Sequence, residues 1–196
     1  MNVEKTLKNL ELRGFETRHF ATSAEAADYV NSQINDSTVG IGGSKTIEAM
    51  GLYETLSERN TVYWHWKTPG METLEKAATT DYYMCSANAI TENGEIINCD
   101  GNGNRVASTA FGHKKLFIIA GTNKIVSDLN SGIERMHAAS VINNRRFDKF
   151  NPPCKLDNKC HDCRSATRTC RVMTVLFAPS FPMPTEVILI DEELGY

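Results

Sequence analysis

Thr38-Val39-Gly40-Ile41-Gly42-Gly43-Ser44-Lys45-Thr46 passes from a short β-branched run through a glycine turn into a helical pattern carried by Ile47, Met50 and Leu52. Strand, tight turn and helix in that order make a β-loop-α unit, and such units assemble into α/β sheets. Working outward, Lys115 to Ala120 is a near-continuous apolar run that ends at Gly121-Thr122-Asn123-Lys124. It has the pattern of a central parallel strand buried on both faces. Upstream, residues 2–13 place Val3, Leu7, Leu10 and Leu12 on one helical stripe before Gly14, and Phe15 to Phe20 reads as a strand. Thr22-Ser23-Ala24-Glu25 has capping character ahead of the amphipathic run Ala26, Ala27, Val30, Ile34. Thr61 to Trp66 reads as a strand, Met71 to Ala78 as a helix and Asp81 to Ser86 as a buried strand, while Ala89 to Asn98 reads as a hairpin turning at Asn93-Gly94. Residues 132–142 read as a helix, and Thr174 to Phe177 and Glu186 to Ile190 as closing strands. The predicted fold is α/β: one open, mostly parallel sheet with helices on both faces and a small antiparallel hairpin region.

The 196 residues suffice for one sizeable core, so a single domain over 1–196 is expected, with a cysteine-rich insertion at about 151–172. Apolar residues make up 41% and charged residues 23%, and no apolar run approaches the roughly 18 residues of a membrane-spanning helix. Met1-Asn2-Val3-Glu4-Lys5-Thr6 enters a polar amphipathic stretch with neither an apolar signal core nor a small-residue cleavage site, which makes the cytoplasm the expected location. The net charge of −3 argues against a general nucleic-acid or membrane surface. Locally the balance differs: Val141 to Arg171 holds eight Lys/Arg against three Asp.

Several motifs carry chemistry, each with a plainer alternative. Gly42, Gly43, Ser44, Lys45 and Thr46 open a helix and can offer backbone N–H groups and side-chain donors to a phosphate or carboxylate, or can simply be a turn that needs small residues. Glu92-Asn93-Gly94 at a hairpin tip, with Asp100-Gly101-Asn102-Gly103-Asn104-Arg105 behind it, supplies a carboxylate for nucleophilic or base catalysis, amides and an arginine. The same dipeptides also make ordinary turns. Asn123 and Lys124, at the end of an apolar strand, can bring an amide and an ammonium to a carboxylate or carbonyl, although lysine is also a common surface residue.

Cys154, Cys160, Cys163 and Cys170 are the most specific local pattern, four thiols within 17 residues. A CxxC pair with two flanking cysteines can converge on one zinc ion, which would be structural, or on an iron-sulfur cluster, which would move electrons. Free or disulfide-forming cysteines remain the alternative. Cys85 and Cys99 sit in strand-like contexts and read as small core residues. His65 alternates with Trp64 and Trp66 as on a strand, and neither it nor His19, His113 or His137 has a metal-ligand spacing to another histidine.

Taken together, Ile41-Gly42-Gly43-Ser44-Lys45-Thr46 with Gly51-Leu52, Ser86 to Gly94, Asn98 to Val106 and Gly121 to Val126 resemble the LUD domain, over about residues 1–190. The resemblance implies the fold shared by ribose-5-phosphate isomerase, glucosamine-6-phosphate deaminase and CoA transferases. It also implies a role near bacterial L-lactate oxidation to pyruvate, beside iron-sulfur proteins, and the cysteine-bearing tail is similar to that of stand-alone members. Where the family often has Ala-Pro-x-Asn-x-x-Arg, this chain has Ser140-Val141-Ile142-Asn143-Asn144-Arg145-Arg146, lacking the proline but keeping Asn143 and Arg146.

Three functions follow as expectations. The first is an accessory redox component of L-lactate or 2-hydroxy-acid metabolism, similar to lactate utilization protein C. In it Gly42 to Thr46, Asn88, Asp100, Asn104, Arg105, Asn123, Lys124, Asn143 and Arg146 hold a small anionic metabolite, and the four cysteines hold an iron-sulfur cluster or zinc. The second is an isomerase- or CoA-transferase-like enzyme using Glu92 and Lys124; Glu-Asn-Gly is similar to the motif around the nucleophilic glutamate of some CoA transferases. The third is a zinc-stabilised sensor or interaction module. Expected partners are a carboxylate or phosphate metabolite, redox proteins and a second copy of the chain in a homo-oligomer. Nucleic acid ranks last because the basic segment has few interleaved aromatics.

Overall fold

A computed structural model describes all residues 1–196. In chain order the elements are α1 (Val3–Leu12), β1 (Glu16–Phe20), α2 (Ser23–Gln33), β2 (Thr38–Ile41), α3 (Lys45–Ala49), α4 (Leu52–Ser57), β3 (Thr61–Trp64), α5 (Met71–Ala77), β4 (Tyr82–Cys85) and β5 (Ala89–Thr91). They continue with β6 (Ile96–Asp100), α6 (Asn104–Ala110), β7 (Lys115–Gly121), β8 (Ile125–Val126), α7 (Leu129–Asn144), α8 (Cys154–Asp157), β9 (Val172–Leu176) and β10 (Thr185–Ile190). Six strands form a fully parallel sheet in the order β1-β10-β7-β4-β2-β3. A second, mixed sheet, β8-β5-β6-β9, is built on the β5–β6 hairpin.

The side-chain alternation of the central strands divides the interior in two. On β7, Leu116, Ile118 and Ala120 face a core that includes Leu10 of α1, Phe15 and Ala77 of α5. Phe117 and Ile119 face the opposite core, closed by Ala26, Val30 and Ile34 of α2 and by Leu52 and Leu56 of α4. Each fully buried aliphatic side chain contributes about 1.5–3 kcal/mol, and this double burial is why β7 reads as an unbroken apolar run. The helices take the ends their sequences specify. Thr22 and Glu25 form a reciprocal capping box at α2, and Asp128 accepts from the Ser131 N–H at the start of α7.

Four local readings need correction. The strand read over Thr61 to Trp66 stops at Trp64, and the chain turns so that Trp66 stacks on Trp64 with ring centroids 5.3 Å apart. His65 therefore does not lie opposite two indoles; it packs edge-on to Trp66. The helical pattern through Ile47 and Leu52 is two short helices broken at Gly51, whose φ of 65° favours glycine. Residues 104–110, to which the sequence reading assigned no element, form α6, whose Val106 N–H donates to Asp100 Oδ2 at 3.0 Å. Glu186 to Ile190 closes no edge, because β10 lies between β1 and β7. No helix is long and apolar enough to cross a membrane.

Candidate functional site

Because the main sheet is parallel, the C-terminal ends of β2, β4, β7 and β10 open on one edge, where α/β sheets hold ligands. Two adjoining pockets lie there, with free space of about 80 Å³ and about 320 Å³. They share Gly43, Trp66, Arg105, Asn143 and Arg146 in their walls and make one cleft. The far wall is α7, which brings Ser140 and Asn143; Gly195 and Tyr196 cover the inner pocket. The segment that departs from the family's proline pattern is thus the last turns of α7 and the residues just after it.

Lys124 is the centre of the inner pocket. It lies in the short 3₁₀ turn after β7 and is 4% exposed, and its Nζ donates to Ser86 Oγ at 2.8 Å and Thr46 Oγ1 at 3.1 Å. Ser86 directly follows β4, and Thr46 lies in the first turn of α3 beyond the glycine turn after β2, so the segments that follow three strands meet at one amine. Its hydrogen-bond partners are hydroxyls and it belongs to no ion pair. Burial, reinforced by the nearby Arg135 and Arg105 guanidinium groups, brings the amine down to about 7.

Arg105 and Asp100, expected as ligand groups, hold each other. Arg105 Nε meets Asp100 Oδ1 at 2.9 Å, with side chains 12% and 9% exposed. The guanidinium also donates to the Cys99 carbonyl at 2.8 Å, Asn88 Oδ1 at 3.1 Å and the Ser86 carbonyl at 3.4 Å. Asn88 Oδ1 further accepts from the Cys99 N–H at 2.8 Å. This saturated network fixes the floor of the cleft and leaves its guanidinium few donors for a ligand.

The glycine turn lines the inner pocket with Gly43, Ser44 and Lys45, and its glycines also make room for neighbouring side chains. A Cβ on Gly42 would lie 3.1 Å from Arg105 Cδ, and one on Gly43 would lie 3.1 Å from the Trp66 ring, so these positions let Arg105 and Trp66 pack. The Gly42 N–H is spent on the Met84 carbonyl, Ser44 Oγ caps α3 by accepting from the Ile47 N–H, and Lys45 pairs with Glu48. Asn123 Oδ1 accepts from the Leu194 N–H at 3.3 Å and anchors the segment that covers the pocket. Asn104 lines the outer pocket. Arg146 remains free of carboxylates and stacks over Trp66, 4.2 Å from the ring centroid.

Glu92 is not in this cleft. Its carboxylate accepts from the Asn2 N–H at 2.9 Å and pairs with Lys5 Nζ at 3.0 Å, contacts that hold it below the usual carboxylate range. The reason is geometric: the β5–β6 hairpin directs its tip toward α1, while its open end, Asn88 and Cys99, faces the cleft. Ser86, beside Lys124, and Arg135, which holds the segment covering the pocket, are positions that the motif reading missed. Ser86 lay inside a quoted motif but was given no role; Arg135 had no local signal. Arg135 donates to the Asn88 carbonyl and, at 3.1 Å, to the Tyr196 carbonyl.

The four clustered cysteines, all free, line one narrow pocket with His137 and His161. Cys154 is buried and accepts from Asn144 Nδ2 at 3.4 Å, whereas Cys160 is exposed with Sγ 3.2 Å from His137 Nδ1. The donor types suit zinc or an iron-sulfur cluster. As placed, however, no three His, Cys, Asp or Glu side chains form a group able to hold a metal ion, so the expected four-cysteine ligand set is not assembled. Cys85 and Cys99 are buried, as expected, and burial pushes their thiols up to about 12 and about 11.

Among curated proteins none matches this chain. Among solved structures, a DUF162 family protein from Deinococcus radiodurans is similar, with 16% identity, a TM-score of 0.57 and coverage of 97% of this chain and 99% of that one. At that identity the likeness shows the fold. The pattern of the LUD domain matches residues 3–190, which takes in the sheet, the cleft and the cysteine segment alike. The chain belongs to the LUD domain family.

Proposed function

We propose that the cleft binds a small carboxylate of the 2-hydroxy-acid class and that the protein serves L-lactate or related 2-hydroxy-acid metabolism as an accessory component. One observation carries this reading: the Lys124 amine is buried at the base of a small pocket with only hydroxyl partners. A buried cation ordinarily has a counter-charge, and here a bound anion would supply it. Arg146 on the rim offers a second cation with no carboxylate partner of its own, and the inner pocket has space for an anion of a few heavy atoms.

Calorimetric titration with L-lactate, glycolate and inorganic phosphate tests the reading. Binding is expected for the wild type, with a loss of at least tenfold in Lys124→Met; equal affinity in both would contradict it. The pH dependence follows from the amine at about 7. Above that value the free protein holds Lys124 neutral and must take up a proton to bind an anion, so affinity falls by up to about tenfold per pH unit as pH rises beyond 7.

The enzyme reading that uses Glu92 lacks its residue in the cleft. For the cysteine segment, we propose four free thiols that share one pocket, from the buried Cys154 to the exposed Cys160, rather than a formed cluster. Alkylation by iodoacetamide is expected to modify Cys160 first, since it is exposed beside His137, and Cys85 last. Joint protection of Cys154, Cys160, Cys163 and Cys170, lost on chelation, would instead show a bound metal and return the electron-handling role to the account.

A further inference from the structure

We propose that Lys124 forms an imine with the carbonyl carbon of a 2-oxo acid held in the cleft. The inference rests on the carboxylate-binding reading above and deepens it by naming 2-oxo acids as the covalently held class. The amine is built for attack more than for structural pairing. A lysine placed for stability would meet a carboxylate, whereas Nζ here meets two hydroxyls, Ser86 at 2.8 Å and Thr46 at 3.1 Å. When the neutral amine donates its two hydrogens to those oxygens, its lone pair is left in the remaining tetrahedral direction, and Lys124 is among the residues that line the inner pocket. A side chain at Gly195 would crowd the amine, because a Cβ there would lie 3.2 Å from Nζ and 2.8 Å from Thr46 Oγ1.

Surrounding charge favours the same chemistry. Desolvation together with Arg135 and Arg105 leaves a substantial share of the amine unprotonated near neutral pH, the usual means of activating a lysine nucleophile. A 2-oxo acid presents its carboxylate one bond from its carbonyl, so cations that gather the carboxylate also bring the carbonyl carbon to Nζ. The amine nitrogen forms a bond to that carbon, the π pair moves to oxygen, and a proton passes from nitrogen to that oxygen by way of the Ser86 or Thr46 hydroxyl. The second N–H proton then passes to that hydroxyl, which leaves as water while the nitrogen lone pair closes the C=N bond. One water is released, and nothing is oxidised or reduced. A 2-hydroxy acid has no carbonyl and is held only by charge, so the cleft retains the oxidised partner of such a pair more firmly.

The full chain incubated with pyruvate and sodium cyanoborohydride is expected to gain one reduced adduct, mapped by peptide mass spectrometry to Lys124. L-lactate alone should give none, and excess L-lactate should slow the trapping. Lys124→Arg should lose the adduct, and Ser86→Ala should slow trapping at least tenfold. Adducts spread over surface lysines such as Lys149, or none on Lys124 while calorimetry still shows pyruvate binding, would overturn the imine and leave the carboxylate site standing. Failure of both pyruvate and L-lactate to bind would overturn the two readings together.

Discussion

Replacing Lys124 with methionine is expected to raise the melting temperature by roughly 4–8 °C at pH 7 while removing carboxylate binding. The amine falls from 10.5 in its ordinary state to about 7 in the fold. Between those values the unfolded chain carries a proton that the folded chain does not, so stability falls as pH drops from 10.5 to 7 and stays at the lower level below that. Each pH unit in that window corresponds to about 1.4 kcal/mol. Methionine removes this burden at similar length but leaves Ser86 and Thr46 each one partner short, at about 1–3 kcal/mol. The balance is a net gain of about 2 kcal/mol, equivalent to that rise for a chain of this size. Thermal melts should show the gain at pH 7 and its disappearance near pH 10. A variant less stable than the wild type at pH 7 would mean that the amine is not penalised in the fold. Stability given up at a binding group is the usual trade at functional sites.

The second large effect is expected at Arg105. Arg105→Leu strips the Asp100 carboxylate, only 9% exposed, of its counter-charge and removes a donor from the carbonyls of Ser86 and Cys99. Breaking a buried, hydrogen-bonded pair from one side costs about 3–5 kcal/mol, and urea unfolding should show a loss of that order. Asp100→Asn combined with Arg105→Leu should recover part of it, since the stranded charge is then gone while an amide oxygen can still accept from Val106. A loss below about 1 kcal/mol in Arg105→Leu would class the pair with solvent-screened ones and remove the rigid floor from the account.

The sheet was legible because its evidence is local. β7 is apolar on both faces and β2 runs straight into a turn and helix, and each pattern is written in consecutive residues. Pairing across distance was not legible. Lys124 resembled any surface lysine because its partners, Ser86 and Thr46, lie 38 and 78 residues away. Asp100 and Arg105 read as ligand groups, yet the turn between them folds one onto the other. The hairpin bearing Glu92 was identified, but alternation along two strands does not say which end faces the cleft. Cysteine spacing suggested convergence on one ion or cluster, whereas the four thiols share a pocket without forming a ligand group. It also missed His137, which reaches Cys160 from α7 across 23 residues.

The most direct test of the account is the number of protons taken up when L-lactate binds at pH 8, measured by calorimetry in two buffers of different ionisation enthalpy. If a low-pKa Lys124 is the centre of the anion site, wild type should take up close to one proton per ligand and Lys124→Met should show neither uptake nor binding. Binding without proton uptake, or the same uptake in Lys124→Met, would contradict it.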